Sequence, residues 1–402
     1  MADPRPILIA GGGIGGLAAA LALARAGFRT EVLEQADAFR ETGAGIQMGP
    51  NFFTALNALG LRARTLADVW RPGALVMRDA LTGAHVTDVP LGAEFESHFG
   101  NPYAVTHRGD LHTAMLEACQ SHPLVDLRTG ARLEDFNQNA ESVAVRLIGG
   151  ETRTGRALIG ADGLWSSVRG KILGDGKPRV SGHIAYRAVL KREDVPEDLW
   201  SPDVVLWAGP RSHLVHYPLR RGELFNLVAV FHSDHYSEGW DEAADTSLLW
   251  RHFQGQRPEV IRLLEKIETW RMWVLCDREP VADWCDGRVA LLGDAAHPML
   301  QYLAQGAAMA TEDAVCLAQQ VVEHPHDLPA AFRAYNRARY LRTGRVQLTA
   351  RFYGDVYHAR GVTAELRSLL LAGRSARQAW AGMAWLYGGT GVQAYGGTGV
   401  QA

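Results

Sequence analysis

Cysteine is scarce in this 402-residue chain, and the four present (Cys119, Cys276, Cys285 and Cys316) show no CxxC spacing. Neither a zinc site nor a disulfide framework is indicated, and a reducing cytoplasm fits that usage. Excess charge is missing too, with a formal net charge of only −3 at pH 7. That argues against a nucleic-acid surface, which draws its affinity from concentrated Lys and Arg. The opening "MADPRPILIAGGGIGG" lacks the basic region and apolar core of an export signal. Long apolar runs are absent as well: "LAAALALARAGF" is broken by Arg25, short of the roughly 18 uncharged residues that a membrane span requires.

What is present describes a globular protein, with 47% apolar and 21% charged residues. The length predicts two domains, or one large domain with an insertion. The chain closes on "YGGTGVQAYGGTGVQA", one octad repeated from Tyr387 and Tyr395, which reads as a disordered or appended tail.

The pattern along the chain predicts a βαβ opening, with a buried parallel strand at "ILIA" (Ile7–Ala10), a helix from Ile14 to Ala26 and a strand from Thr30. A helix over His107–Gln120 with Asp110 as its cap follows, then strands at Val125–Leu127, Ser142–Ile148 and Ala157–Gly163. From Gly182 to Arg271 alternating runs ("AYRAVL", "VVLWAG", "HLVHYPL", "LFNLVAVF") predict an antiparallel sheet. The βα texture returns at "RVALLGDAAHP" and becomes helical from Gly306 to Arg351. The fold class expected is therefore α/β, a discontinuous Rossmann-like domain around an inserted antiparallel sheet, with C-terminal helices. Residues 1–77, 101–180 and 272–350 are assigned to the first domain, 78–100 and 181–271 to the sheet, 351–386 to a helical region and 387–402 to the tail.

"GGGIGG" sets Gly11, Gly13 and Gly16 in GxGxxG register between a strand and a helix. Glycine serves there because the chain turns sharply, backbone must approach a pyrophosphate, and helix and strand pack closely. Glu34, 18 residues after Gly16 at the end of the second strand, is placed to accept from a ribose. A dinucleotide is implied, but not which one. "IGADGLWSSVR" carries Asp162-Gly163 with Arg169 after it, and "LLGDAAHP" carries Gly293-Asp294. His297 has no partner acid at ligand spacing, so a metal at Asp294 is disfavoured.

That ordered set, around an interposed sheet, resembles the class A flavoprotein monooxygenases, the FAD-dependent aromatic hydroxylases, from Ile7 to about Arg351. The resemblance implies FAD, with Asp294 on its ribityl hydroxyls, and NADH or NADPH as a transient donor, since no second nucleotide fingerprint is visible. It matches Arg108 to a nucleotide contact, and "ETGAGIQMGPN" (Glu41–Asn51) to a mobile flavin-side loop with Gly45 and Gln47 near the ring. The helix opening at Gly306 and Ala307 would turn free N–H groups toward the pyrimidine side of the isoalloxazine.

Within the family, Gln301 stands where many relatives have proline. Together with "SHLVHYPLRRGELFN", "CDREP" and "NPYAVTHR" it resembles the hydroxylases that convert 3-hydroxybenzoate to gentisate through a flavin C4a-hydroperoxide. That resemblance implies His213 and Gln301 as catalytic residues, and Tyr217 and Tyr103 as pocket tyrosines. The chemistry agrees: attack para to a phenolate needs an acceptor for a proton of pKa about 10, and imidazole is suited to it at neutral pH. His213, Val215 and Tyr217 share one strand face, while His216 lies on the other, exposed or satisfied structurally. Alternatives within the family are a salicylate or 6-hydroxynicotinate hydroxylase, and outside it a non-catalytic FAD-binding redox sensor. Glu365–Gly388 is expected as one amphipathic helix docking on a partner subunit or on its own domain, and a homodimer is favoured.

Overall fold

The computed structural model describes residues 3–40, 44–233, 240–243 and 245–388. The doubled octad, apart from Tyr387 and Gly388, and Glu41–Gly43 of the flavin-side loop lie outside the described residues.

Ile7–Ala10 is the centre of a six-stranded sheet, fully buried on both faces, which is why it reads as an unbroken apolar run. It pairs in parallel with Thr30–Leu33 on one side and Ala157–Gly160 on the other; Ala157–Gly160 in turn pairs in parallel with Val289–Leu291. The registers align Ala10 with Leu33, Ala10 with Gly160, and Gly160 with Leu291. The strands therefore end together, and Gly11, Glu34, Ala161-Asp162 and Leu292–Asp294 emerge side by side at the carboxyl edge, where ligands of open α/β sheets bind.

A helix of Ala and Leu, Ile14–Arg25, packs between this sheet and the Gly306–Glu323 helix. Its small side chains permit the close approach. Behind Gly306–Glu323 runs the 30-residue helix Leu328–Tyr357.

The eight-stranded sheet has the order 240–243, 271–277, 179–191, 224–232, 212–219, 204–209, 74–79, 85–90. Its pairs are antiparallel except for 204–209 with 74–79. One face, through Ile184, Tyr186, Leu214, Ala229 and Phe231, buries Leu249, Phe253, Val260 and Leu263 of two short helices. The opposite face, through Ala185, Val230, Trp273 and Leu275, packs on Leu300, Tyr302 and Ala350. Alternation along each strand thus sends Ala185, Arg187, His213 and Tyr217 toward the nucleotide-type module.

Two expectations are corrected. Asp110 does not cap its helix: the N-cap is His107, and the Asp110 carboxylate accepts from Arg220 Nε and Nη2 at 2.9 and 2.8 Å. The C-terminal stretch is two helices, Val362–Leu371 and Ala376–Tyr387, separated at Gly373 (φ +70°) and restarted by a Ser375–Gln378 capping box. His216 takes the second of its two expected readings: it is buried and accepts from Trp207 Nε1 at 3.1 Å. Among the described residues no helix is long and apolar enough to cross a membrane.

Candidate active site

The glycine turn is as tight as its composition implies. Gly11 sits at φ +103°, and a Cβ there would lie 2.4 Å from Ala161 O. A Cβ at Gly16 would meet Gly11 O at 1.9 Å, so the helix start rests directly on the turn. Gly13 is the N-cap of the first helix and carries no side chain to occupy its N–H groups. Glu34 Oε2 accepts from Gly12 N at 2.7 Å while Oε1 accepts from Ala36 N at 2.8 Å, which fixes the acid at the rim of the turn.

Asp162 offers something other than its sequence context suggests. Its carboxylate accepts from Ser167 N at 2.8 Å and Val168 N at 3.2 Å, holding the start of the Ser167–Leu173 helix. Its backbone, rather than its side chain, lies against Gly11. Arg169 is fully buried and donates to Ala295 O at 3.0 Å and to Asp175, tying the Asp162 and Asp294 segments together.

Asp294 is exposed, one residue beyond Gly293 (φ +62°). Its Oδ1 would be the nearest atom, at 3.8 Å, to a Cβ placed on Gly306. The carboxylate therefore stands beside the open N-terminus of the Gly306–Glu323 helix, whose N-cap Gln305 makes no capping bond. Gly306 and Ala307 form its first turn. A helix N-terminus, bare glycine backbone and an adjacent acid suit a ligand carrying both phosphates and hydroxyls.

A second cluster lies under the eight-stranded sheet. Gly45 N donates to Asn226 Oδ1 at 2.8 Å, and a Cβ on Gly45 would collide with the Tyr217 ring at 2.5 Å. Tyr103 Oη donates to Gln47 Oε1 at 2.5 Å, and Tyr217 also bonds Gln47. Burial pushes both phenols above their ordinary range, so both stay protonated donors. Arg108 starts its helix with its N–H on Ala44 O at 2.9 Å, and its charge bears on the guanidinium of Arg187.

Arg187 Nη2 donates to Gln301 Oε1 at 2.5 Å. Its Nε is buried without a partner, and among the described residues no carboxylate pairs with it. Desolvation, then the Arg108 charge, push its pKa down to about 10. His213 lies two register rows away on the same sheet face and is buried, its Nδ1 2.7 Å from His358 Nε2. Burial and the neighbouring imidazoles of His183 and His232 lower its pKa to about 3, so it is neutral with a lone pair to offer. The structure thus joins Tyr217, Tyr103 and Gln47, and joins Gln301 to Arg187, whereas it bonds His213 to His358.

A family profile described as an FAD binding domain matches residues 5–344. The 3-hydroxybenzoate 6-hydroxylase 1 of Aquipseudomonas alcaligenes is 46% identical over 384 residues, covering 95% of this chain and 97% of that protein. The chain belongs to the FAD-dependent aromatic hydroxylases. The 3-hydroxybenzoate 6-hydroxylase of Polaromonas naphthalenivorans is likewise 46% identical, over 95% of this chain and 96% of its own length. Klebsiella pneumoniae HpxO, solved with FAD and uric acid, superposes with a TM-score of 0.83 at 27% identity, covering 94% of this chain and 95% of that one.

For a hydroxylase of this family the glycine turn, Glu34, Asp294 and the helix start at Gly306 are the groups that would hold FAD, and the side-chain-free backbone at Gly13 and Gly306 with an acid beside each fits that use. Sequence reasoning missed Arg187, Asn226 and His358. The signal for the first two was there: each is a lone strongly polar residue within an apolar strand, "AYRAVL" and "LFNLVAVF". His358 carried no such mark, because it follows the end of a helix and meets His213 only through the fold.

Proposed function

We propose that this chain hydroxylates 3-hydroxybenzoate at carbon 6, para to its hydroxyl, consuming NAD(P)H and dioxygen and releasing gentisate. The observation that carries the reading is Arg187, a desolvated guanidinium with an amide beside it and no acid of its own. A buried cation in that state calls for an anion, and the carboxylate of an aromatic acid supplies one. The two 46%-identical relatives, both named for 3-hydroxybenzoate, support the choice of acid.

FAD, when bound, supplies hydride acceptance and dioxygen activation. The chain's own residues position and deprotonate the substrate. With Nδ1 committed to His358, His213 presents Nε2 to the phenol proton. With its oxygen on Arg187, Gln301 turns its amide N–H groups outward, and these suit a phenolate oxygen. Tyr217 and Tyr103 close the far side through Gln47. The nicotinamide visits transiently. A cytoplasmic location is consistent with four free cysteines, and a homodimer with the apolar side chains exposed on the Leu328–Tyr357 and Val362–Leu371 helices.

Oxygen uptake with a panel of hydroxybenzoates and 6-hydroxynicotinate, with the product identified by mass and NMR, tests the assignment. Arg187→Ala is expected to raise KM for the aromatic acid roughly ten- to a hundredfold, the cost of a lost charged hydrogen bond, with FAD retained. Uptake driven equally by the uncharged phenol would remove the carboxylate reading.

A further inference from the structure

Two histidines with no part in the hydroxylation converge with His358, the partner of His213, behind that base. His183 lies in the Arg179–Lys191 strand, His232 ends the Leu224–His232 strand, and His358 caps the end of the Leu328–Tyr357 helix. One ring nitrogen from each lies within 4.8 Å of the others. His232 Nε2 and His358 Nδ1 are already 2.9 Å apart, and the His183 and His232 rings lie 4.1 Å centre to centre. Sequence spacing gave no hint, because three separate elements deliver them.

We infer that His183, His232 and His358 form a site for a divalent ion of the zinc class, and that filling it disables His213. The donor set is all imidazole without a carboxylate, which suits zinc, copper or nickel and not magnesium or calcium. Zinc–nitrogen bonds of about 2.0–2.1 Å at tetrahedral angles set ligand nitrogens about 3.4 Å apart, so the rings need shift only slightly. Three protein ligands leave a fourth position open to water.

The surroundings carry charges of both signs. Burial holds all three imidazoles below their ordinary pKa, His183 and His232 at about 4, so each is neutral and its lone pair is free of a competing proton at neutral pH. Arg211 bears on His183 and His232 and opposes a cation; Asp277 acts on His183 and Asp355 on His232 in the opposite sense, and His252 adds a weaker opposing effect on His232. His358 also sits at the carbonyl end of a 30-residue helix, where positive charge is stabilised. Tyr302 Oη, 2.6 Å from His183 Nδ1, orients a second ligand from outside.

The link to His213 follows from tautomers. A metal on His358 Nδ1 obliges Nε2 of the same ring to carry the hydrogen, and that N–H points at His213 Nδ1, 2.7 Å away. His213 must then hold its own hydrogen on Nε2, the atom that should take the phenol proton. Metal binding therefore blocks deprotonation without touching FAD or its reduction. This consequence rests on the base role proposed for His213; the metal site does not.

Equilibrium dialysis of tag-free holoenzyme against micromolar zinc chloride, read by elemental mass spectrometry, should find one zinc per chain. His232→Ala and His183→Ala should each keep FAD and lose zinc affinity by more than the roughly 10- to 100-fold that a missing second-shell partner costs. With zinc bound, NAD(P)H oxidation should continue while hydrogen peroxide replaces hydroxylated product, and a chelator should restore coupling. Absence of stoichiometric zinc, stoichiometric zinc unchanged in both variants, or zinc occupancy with full product yield would each overturn the proposal. Should His213→Ala remain fully coupled, the base assignment fails, and the dialysis result still decides the site.

Discussion

On the proposed reading Asp294 and His213 answer to different steps of one cycle, and substitution separates them. Asp294 stands beside the start of the Gly306–Glu323 helix, where the proposed reading puts the cofactor, so Asp294→Ala should weaken FAD retention by roughly ten- to a hundredfold, the value of charge-assisted bonds worth about 1.5–3 kcal/mol. Dilution followed by flavin fluorescence reads this, and a variant that keeps its full FAD affinity would remove Asp294 from the cofactor. His213→Ala should stay yellow and still be reduced by nicotinamide, while product per NAD(P)H falls toward the loss of about 10²- to 10⁴-fold typical of a missing general base. Loss of FAD from that variant would move His213 to the cofactor side. At this scale the sequence was legible where residue type dictates the backbone, as in the tight turn at Gly11 and Gly16. It was silent where the partner is a matter of folding. Asp162 turned to its own helix, and His297, which had no acid at ligand spacing, found Asp313 Oδ2 at 2.5 Å.

That last pairing belongs to an ion network that fixes the Gly306–Glu323 helix. Asp313 is fully buried and accepts from Gly293 N at 3.1 Å, from His297, and from Arg339 Nε at 2.7 Å. Glu312 beside it takes Arg339, Arg342 and Asn51, so one turn of helix anchors to three other elements. The acids in "ATEDA" gave no such signal, since a charged pair in a helix ordinarily faces solvent. Asp313→Ala would leave the buried Arg339 with Glu312 alone and take the acid from His297 and Gly293 N, and should cost about 3 kcal/mol, the low end for a broken buried pair, in denaturant unfolding at saturating FAD. Its pKa is lowered to about 2 despite opposing desolvation, by His297 and Arg339. The contribution is therefore full above the unfolded carboxyl range near about 4 and disappears only as pH falls through about 2. An unfolding midpoint unchanged in Asp313→Ala at pH 7 would show the network to be dispensable. The strands themselves were more legible than their supports, because apolar runs and alternation report burial directly, whereas a buried ion pair is invisible until both ends are placed.

Across the whole molecule, the change of texture at Gly182 and its return at Arg288 were enough to read two sheets of different kind, and the glycine turn located the ligand edge of one of them. Assembly is harder to read, because exposure becomes known only after folding. The C-terminal expectation divides in two: Trp380, Leu386 and Tyr387 of the final helix are buried on their own chain, where Tyr387 lies against Gly49 and Phe95. Val362, Leu366, Leu369 and Leu370 of the preceding helix are each more than half exposed, at a spacing that puts them on one face. Leu341, Leu348 and Phe352 make a second exposed stripe on the Leu328–Tyr357 helix. Apolar stripes of this kind are unusual on a monomer, and a second copy of the chain would cover them with a self-complementary surface of about 800 Å² per partner, the usual size of a stable interface. Light scattering at micromolar concentration should give twice the 43.9 kDa of one chain. Leu369→Glu combined with Leu348→Glu should bring the mass down to one chain with the flavin still bound, since neither residue approaches the glycine turn or Asp294. A wild-type mass of 43.9 kDa under the same conditions would remove the dimer, and a double variant that remains dimeric would place the interface elsewhere.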